Sequence, residues 1–107
     1  MDAQLKRGVL EICVLAAMRD EDTYGYKIIK DLSPFMEVSE STLYPILKRL
    51  EQSGCVNEYS VEHNGRLRKY YRITEAGHEK IRDFLNDWES VMRAYHFIRG
   101  DEFYDEK

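Results

Sequence analysis

The sequence predicts a mainly α-helical chain carrying one small β-hairpin, and three observations predict it. Apolar residues recur at three- and four-residue intervals in four separate stretches, the signature of helices with one buried face. Between the third and fourth stretches the pattern changes to short β-prone runs around Asn64-Gly65, the strongest short-range hairpin signal. The 107 residues, 43% hydrophobic and 34% charged, suffice for one hydrophobic core and not for two.

The first helix is expected from Ala3 to about Met18. Leu5, Val9, Ile12, Cys13 and Ala16 share one face, with Leu10, Val14 and Ala17 beside them and Leu15 widening the stripe. A helix apolar over so much of its circumference is buried from more than one side, as a central helix or against a partner chain. After a solvated break at Arg19-Asp20-Glu21-Asp22, Thr23 stands where an N-cap belongs. A short helix follows from Tyr24 to about Leu32, with Tyr24, Ile28, Ile29 and Leu32 on its apolar face. Gly25 in its first turn suits either close approach of another helix or a plain surface position. Ser33-Pro34 ends the helix, because the residue before proline disfavours the helical region, and residues 35–38 read as a loop.

Ser39 caps a third helix, Glu40 to about Ser53, with Gly54 as its stop. Leu43, Ile46, Leu47 and Leu50 form its core stripe. Ser41, Pro45, Lys48 and Gln52 project on the opposite side, flanked by Thr42, Tyr44 and Arg49. Pro45 lies beyond the first turn, removes one backbone bond and predicts a distorted helix.

With Asn64-Gly65 as a two-residue turn, Val56 pairs with Ile73, Tyr59 with Tyr70 and Val61 with Arg68. One face then carries Tyr59, Val61, Arg66, Arg68, Tyr70 and Arg72. The other carries Val56, Leu67, Lys69, Tyr71 and Ile73. A slip of one residue would exchange the two faces. Thr74 caps the last helix, Glu75 to about Arg99, whose Ile81, Phe84, Trp88, Val91, Tyr95 and Ile98 repeat at three-four spacing beside Leu85 and Met92. Such a helix spans about 37 Å and is too apolar to lie alone on so small a body, so it calls for a second chain. The acidic tail, residues 101–107, is expected to fray.

The net charge of −4 argues at first against nucleic acid, but the charge is segregated. Asp101, Glu102, Asp105 and Glu106 against Lys107 account for three of the four net negative charges. Arg66, Arg68, Lys69 and Arg72 put four positive charges into seven residues at the hairpin. Asp2, Gln4, Lys6 and Arg7 around a lone Leu5 are not a secretory signal. The nearly apolar stretch from Gly8 to Met18 is too short to span a membrane. Cys13 and Cys55 make no disulfide framework, and a cytoplasmic protein is expected. No catalytic, cofactor or metal site is expected. There is no phosphate-binding glycine loop, and His63, His78 and His96 lack ligand spacing.

Three helices, a hairpin and a long helix, in that order, describe a winged helix-turn-helix with an added C-terminal helix. In that fold the third helix enters the DNA major groove, and the hairpin, or wing, reaches phosphates or the minor groove. Ser39, Ser41, Thr42, Tyr44, Lys48 and Arg49 supply groups that can read base edges, and Asn64, Arg66, Arg68 and Lys69 groups that can hold phosphates. Each has a plainer reading. Lys48 and Arg49 suit an ordinary solvated helix face, and the hairpin cations suit a charge-protected edge strand. Tyr44, outside the core stripe, is expected to touch something.

Four stretches carry a resemblance to a known family. They are Leu5-Lys6-Arg7-Gly8; Tyr24-Gly25-Tyr26; Ser41-Thr42-Leu43-Tyr44-Pro45 running into Leu47-Lys48-Arg49-Leu50-Glu51; and Arg68-Lys69-Tyr70-Tyr71-Arg72-Ile73-Thr74 followed by Gly77. Together they resemble the PadR family of bacterial transcriptional regulators, over roughly residues 5–98. The single C-terminal helix resembles the short subfamily, whose members dimerise through it. The resemblance implies a homodimeric repressor of a roughly palindromic double-stranded DNA operator, released by a small-molecule or stress signal. It also implies a proline in the third helix. The wing tip departs from the family, being poorer in glycine and arginine.

The expected division is residues 1–74 as the DNA-binding domain, 75–100 as the dimerisation helix and 101–107 as the tail. Leu5, Val9, Ile12, Ile81, Leu85, Trp88, Met92 and Tyr95 are the expected dimer contacts. Trp88 matches a tryptophan that some multidrug-responsive relatives stack against planar aromatic ligands, and Phe84 and Val91 would line such an effector site. By periodicity alone Trp88 is a packing residue. The competing reading is a winged-helix module that docks on protein without reading DNA, which the net negative charge favours.

Overall fold

A computed structural model describes residues 1–101 of the chain; Glu102 onward, most of the acidic tail, lies outside the described residues. Helix α1 spans Ala3–Ala17, α2 Gly25–Leu32, α3 Glu40–Gln52 and α4 Glu75–Arg99, with strands β1 (Val56–His63) and β2 (Arg66–Ile73) between α3 and α4. Each is within a residue or so of its expected bounds.

The termini follow from side-chain chemistry. Asp2 accepts from the N–H groups of Gln4 and Leu5 at the start of α1. Ser39 accepts from Thr42 N–H at the start of α3, and Thr74 accepts from Gly77 N–H at the start of α4. Helix α3 ends on Gly54 (φ 81°), where Cys55 N–H reaches Leu50 O at 2.9 Å and Gly54 N–H reaches Glu51 O at 3.0 Å. That pair of bonds satisfies the last carbonyls of the helix. Pro45 sits inside α3, which continues through it.

Leu10, Val14, Leu15 and Met18 of the first helix and its end meet Ile28 and Leu32 from α2 and Leu43, Ile46, Leu47 and Leu50 from α3. Val38, Cys55, Val56, Tyr71 and Ile81 close the core. Both cysteines are free, and burial pushes the Cys13 thiol pKa up. The hairpin has the expected register, Val56 opposite Ile73 and Val61 opposite Arg68, around Asn64 (φ 54°) and Gly65 (φ 79°). Val56 and Tyr71 are buried, so their face turns to the core, and on the other face Tyr59 and Tyr70 are half-buried against Asp22 and Tyr24.

One terminus is not as expected. Thr23 is no N-cap. It is 1% exposed and forms a bridge to the free edge of β2, its N–H donating to Tyr71 O at 3.1 Å and its carbonyl accepting from Tyr71 N–H at 2.8 Å. Two backbone bonds and full burial outweigh a single surface cap. The cap position falls to Tyr24, whose side chain makes no capping bond.

Helix α4 projects from this body. Its buried residues are Gly77 and Ile81, both near its start. The chain measures 61 × 26 × 21 Å with a radius of gyration of 16.5 Å, against about 13 Å for a compact chain of this length. Ile81, expected at the contact with a second chain, is 6% exposed within its own protomer. Its side chain completes the core beneath the hairpin and α1.

Candidate nucleic-acid interface

The amino end of α3 presents three exposed hydroxyls. Ser39 Oγ lies 3.0 Å from Ser41 Oγ and donates to Thr42 Oγ1 at 3.1 Å, while also accepting the capping N–H. Ser39 is therefore engaged chiefly in capping the start of the helix, and Ser41 and Thr42 are exposed beside it. On the side of α3 toward α1, Ser41, Thr42, Pro45 and Arg49 line a shallow cleft with Lys6 and Arg7. Arg49 is tethered there, its Nε donating to Glu11 Oε2 at 3.3 Å. Lys6 and Arg7 are not among the expected DNA contacts, because their proximity to α3 depends on how α1 crosses it.

On the side toward the wing, Tyr44 and Lys48 line a second cleft with Leu47, Glu51, Glu58, Lys69 and Tyr71. Lys69 pairs with Glu58 at 3.3 Å, which offsets part of its charge. Burial, then the Glu58 carboxylate, push the Tyr71 phenol up to about 12, so it stays protonated and donates to Glu58. Tyr44 is 43% exposed, yet its hydroxyl end packs over Gly25 of α2. A side chain at Gly25 would meet the Tyr44 ring, 2.9 Å from Cζ. This explains the glycine: α3 approaches the first turn of α2 through a tyrosine. Tyr44 thus serves packing at its tip while the rest of its ring faces the groove.

At the wing, Asn64 forms the turn and Arg66 and Leu67 stand exposed near it. Arg68 lies over the Tyr24 ring, 4.2 Å from its centroid. Arg72 is committed to Asp22 at 3.0 Å. The hydrogen bonds from Tyr59 and Arg72 hold the Asp22 carboxyl below its ordinary range. Among the described residues, Arg66, Arg68 and Lys48 carry no ion pair. Tyr24, Gly25, Tyr26, Tyr44, Arg68 and Lys69 line one cleft at the start of α2, so Tyr24 and Tyr26 join the site from outside the expected set. The alternation that put Tyr59 and Tyr70 on the arginine face was the one hint of an aromatic neighbourhood there.

The projecting part of α4 carries an exposed apolar row. Leu85 is 56% exposed and Trp88 37%, and Val91 and Tyr95 are exposed along the same side. Met92, Val9 and Ile12 are half-buried, and Ile12 packs on the protomer core. Leu5 is exposed. Phe84 and Trp88 stack with centroids 5.8 Å apart at 18°. Among the described residues no helix is long and apolar enough to cross a membrane, and no group of three His, Cys, Asp or Glu side chains stands where it would hold a metal ion.

The chain matches the Transcriptional regulator PadR-like family over residues 14–83. It is 30% identical over 91 residues to a transcriptional regulator of Mycobacterium tuberculosis, covering 84% of this chain and 85% of that one. A PadR family transcriptional regulator from Eggerthella lenta superposes with a TM-score of 0.83 at 29% identity, over 92% of this chain and 88% of that one. Bacillus subtilis PadR, solved in complex with operator DNA, superposes with a TM-score of 0.66 at 26% identity. That match covers 72% of this chain and 46% of the longer protein.

Proposed function

The chain belongs to the PadR-like family of transcriptional regulators, and from that premise we propose that it is a homodimeric repressor that binds a roughly palindromic operator. Helix α3 enters the major groove with Ser41, Thr42, Tyr44, Lys48 and Arg49 toward the base edges. Arg66, Arg68 and Lys69 of the wing hold phosphates. Helix α4 joins two such heads so that their α3 helices meet half-sites about one DNA turn, roughly 34 Å, apart. The protein acts in the cytoplasm, where its operator is.

One observation carries this reading. Tyr44 and Lys48 of α3 line adjoining clefts with Arg68 and Lys69 of the wing, and the Bacillus subtilis relative of this fold was solved on its operator. That relative is named a negative transcriptional regulator, which favours repression. The exposed side of α4, with Leu85, Trp88, Val91 and Tyr95, favours a second copy, because leaving such a row in water forfeits roughly 25 cal/mol for each Å² of apolar surface. The Phe84–Trp88 stack is where a planar aromatic effector would bind between subunits. Quenching of Trp88, the single tryptophan, by planar aromatic compounds tests that part.

The test of DNA binding is fluorescence anisotropy on duplex from upstream of the protein's own coding sequence, with excess random duplex as competitor. Binding should survive the competitor and fall steeply with salt. Arg68→Ala should weaken binding to all duplexes and reduce the slope of log K on log salt by about one, the signature of a lost phosphate contact. Weak binding to the upstream duplex, equal to the competitor at every salt concentration, would contradict sequence-specific reading of that duplex.

A further inference from the structure

The wing cations differ in how they are held, and Arg68 is held by a ring. Its guanidinium carbon lies 4.2 Å from the centroid of Tyr24. Tyr24 meets Tyr70 edge-on at 5.5 Å, and Tyr70 stacks on Tyr59 at 5.7 Å and 19°. Tyr59 carries the Arg72 guanidinium 5.2 Å from its own centroid. Asp22 closes the far end, accepting from the Tyr59 hydroxyl and pairing with Arg72. Three rings thus form a continuous column between two arginines. Its near member is fixed independently, because Asp22 and Tyr24 flank Thr23, whose two backbone bonds pin that segment to the edge of β2.

The two ends of the column are unlike. Arg72 meets a carboxylate, and Arg68 meets no carboxylate among the described residues. The Arg68 side chain makes no hydrogen bond or ion pair among the described residues, so the guanidinium held over the ring keeps its N–H donors available to another acceptor. Arg68 is also placed at the open end of α2. The first intrahelical bond there is Ile28 N–H to Tyr24 O, so the N–H groups of Gly25, Tyr26 and Lys27 have no acceptor within the helix. A cation held over a ring beside free helix donors is a presentation suited to a phosphate oxygen.

We propose that Tyr24 is a positioning residue for DNA backbone binding: its ring holds the Arg68 guanidinium in place, and the Tyr70–Tyr59–Asp22 column holds Tyr24. The proposal rests on the DNA-binding reading above and adds the residue through which the α1–α2 connection sets the wing. Tyr24 acts through its ring face, so its hydroxyl is dispensable.

The experiment is a double-mutant cycle on random-sequence duplex at low salt, where phosphate contacts dominate, read by anisotropy. Folding of each variant is checked by circular dichroism. Tyr24→Leu should weaken binding roughly two- to five-fold, the range for an exposed cation–π contact. In the Arg68→Ala background the same change should have no effect, because the group it positions is gone. Tyr24→Phe should bind like the unaltered chain. Equal loss from Tyr24→Leu in both backgrounds would overturn the proposal, since Tyr24 would then act through general structure or a contact of its own. Loss in Tyr24→Phe matching that in Tyr24→Leu would overturn it in favour of the hydroxyl. If Arg68→Ala alone changes neither affinity nor salt slope, the phosphate role of the wing arginine fails, and the positioning role with it. Should Tyr24→Leu not fold, Tyr70→Leu tests the same column one ring further back, with the same cancellation expected in the Arg68→Ala background.

Discussion

Replacing Gly77 by alanine tests how α4 is seated on the rest of the fold. A Cβ at Gly77 would lie 2.5 Å from the Cys55 carbonyl oxygen and 2.6 Å from Ile73 Cγ1. The carbonyl cannot step aside freely. It already accepts from Thr74 N–H at 3.0 Å, the bond that closes the base of the hairpin onto the start of α4. Relief therefore requires lifting the helix by about 1 Å, and overpacking of this kind costs about 1–3 kcal/mol. The better helix propensity of alanine returns up to about 1 kcal/mol. The net loss should be about 1–2 kcal/mol, or a fall of roughly 5–15 °C in Tm for a domain of this size. The assay is thermal and urea unfolding followed by circular dichroism, at one protein concentration because any self-association would couple to stability. Gly25→Ala is the internal comparison. There the obstacle is the far end of the Tyr44 side chain, which can swing outward, so stability should change by less than about 1 kcal/mol. Equal stability of Gly77→Ala and the unaltered chain would refute the seating of α4 against Cys55.

Three further outcomes are expected. Asp22→Asn should reduce stability at neutral pH and remove part of the acid sensitivity. The Tyr59 and Arg72 bonds depress the carboxyl pKa in the folded state, so its contribution is present above the unfolded value near 3.8 and lost as pH falls through the folded one. An acid-unfolding midpoint unchanged by this substitution would contradict it. Leu85→Glu should convert a dimer into a species of 12.7 kDa in sedimentation velocity with the head still folded. Retention of twice that mass would move the dimer contact elsewhere. Tyr44→Ala should narrow the preference for operator over random duplex, whereas equal loss on both would confine Tyr44 to its packing role over Gly25.

The sequence made the elements legible wherever a period or a turn recorded them. The hairpin register followed from Asn64-Gly65 because a two-residue turn leaves one pairing, and it held across all eight pairs. Thr23 was misread because a single bridged residue has no period. Its neighbours Asp22 and Tyr24 looked like a loop and a helix start, with nothing local to indicate the edge of β2. The burial of Ile81 within its own chain was not legible, because three-four spacing marks a buried stripe without saying whether its own chain or a partner covers it. At the site, residue types were readable and tethers were not. Arg49 bonds Glu11 and Arg68 lies over Tyr24, contacts between elements far apart in the chain that no spacing rule reaches.

The central claim is that two heads joined by α4 read two half-sites. It is tested most directly by selecting bound duplexes from a random-sequence pool and sequencing them. The selected duplexes should share an inverted repeat, with half-site centres about one helical turn, roughly 10 base pairs, apart. Enrichment of a single unrepeated site, or of no sequence at all, would contradict it.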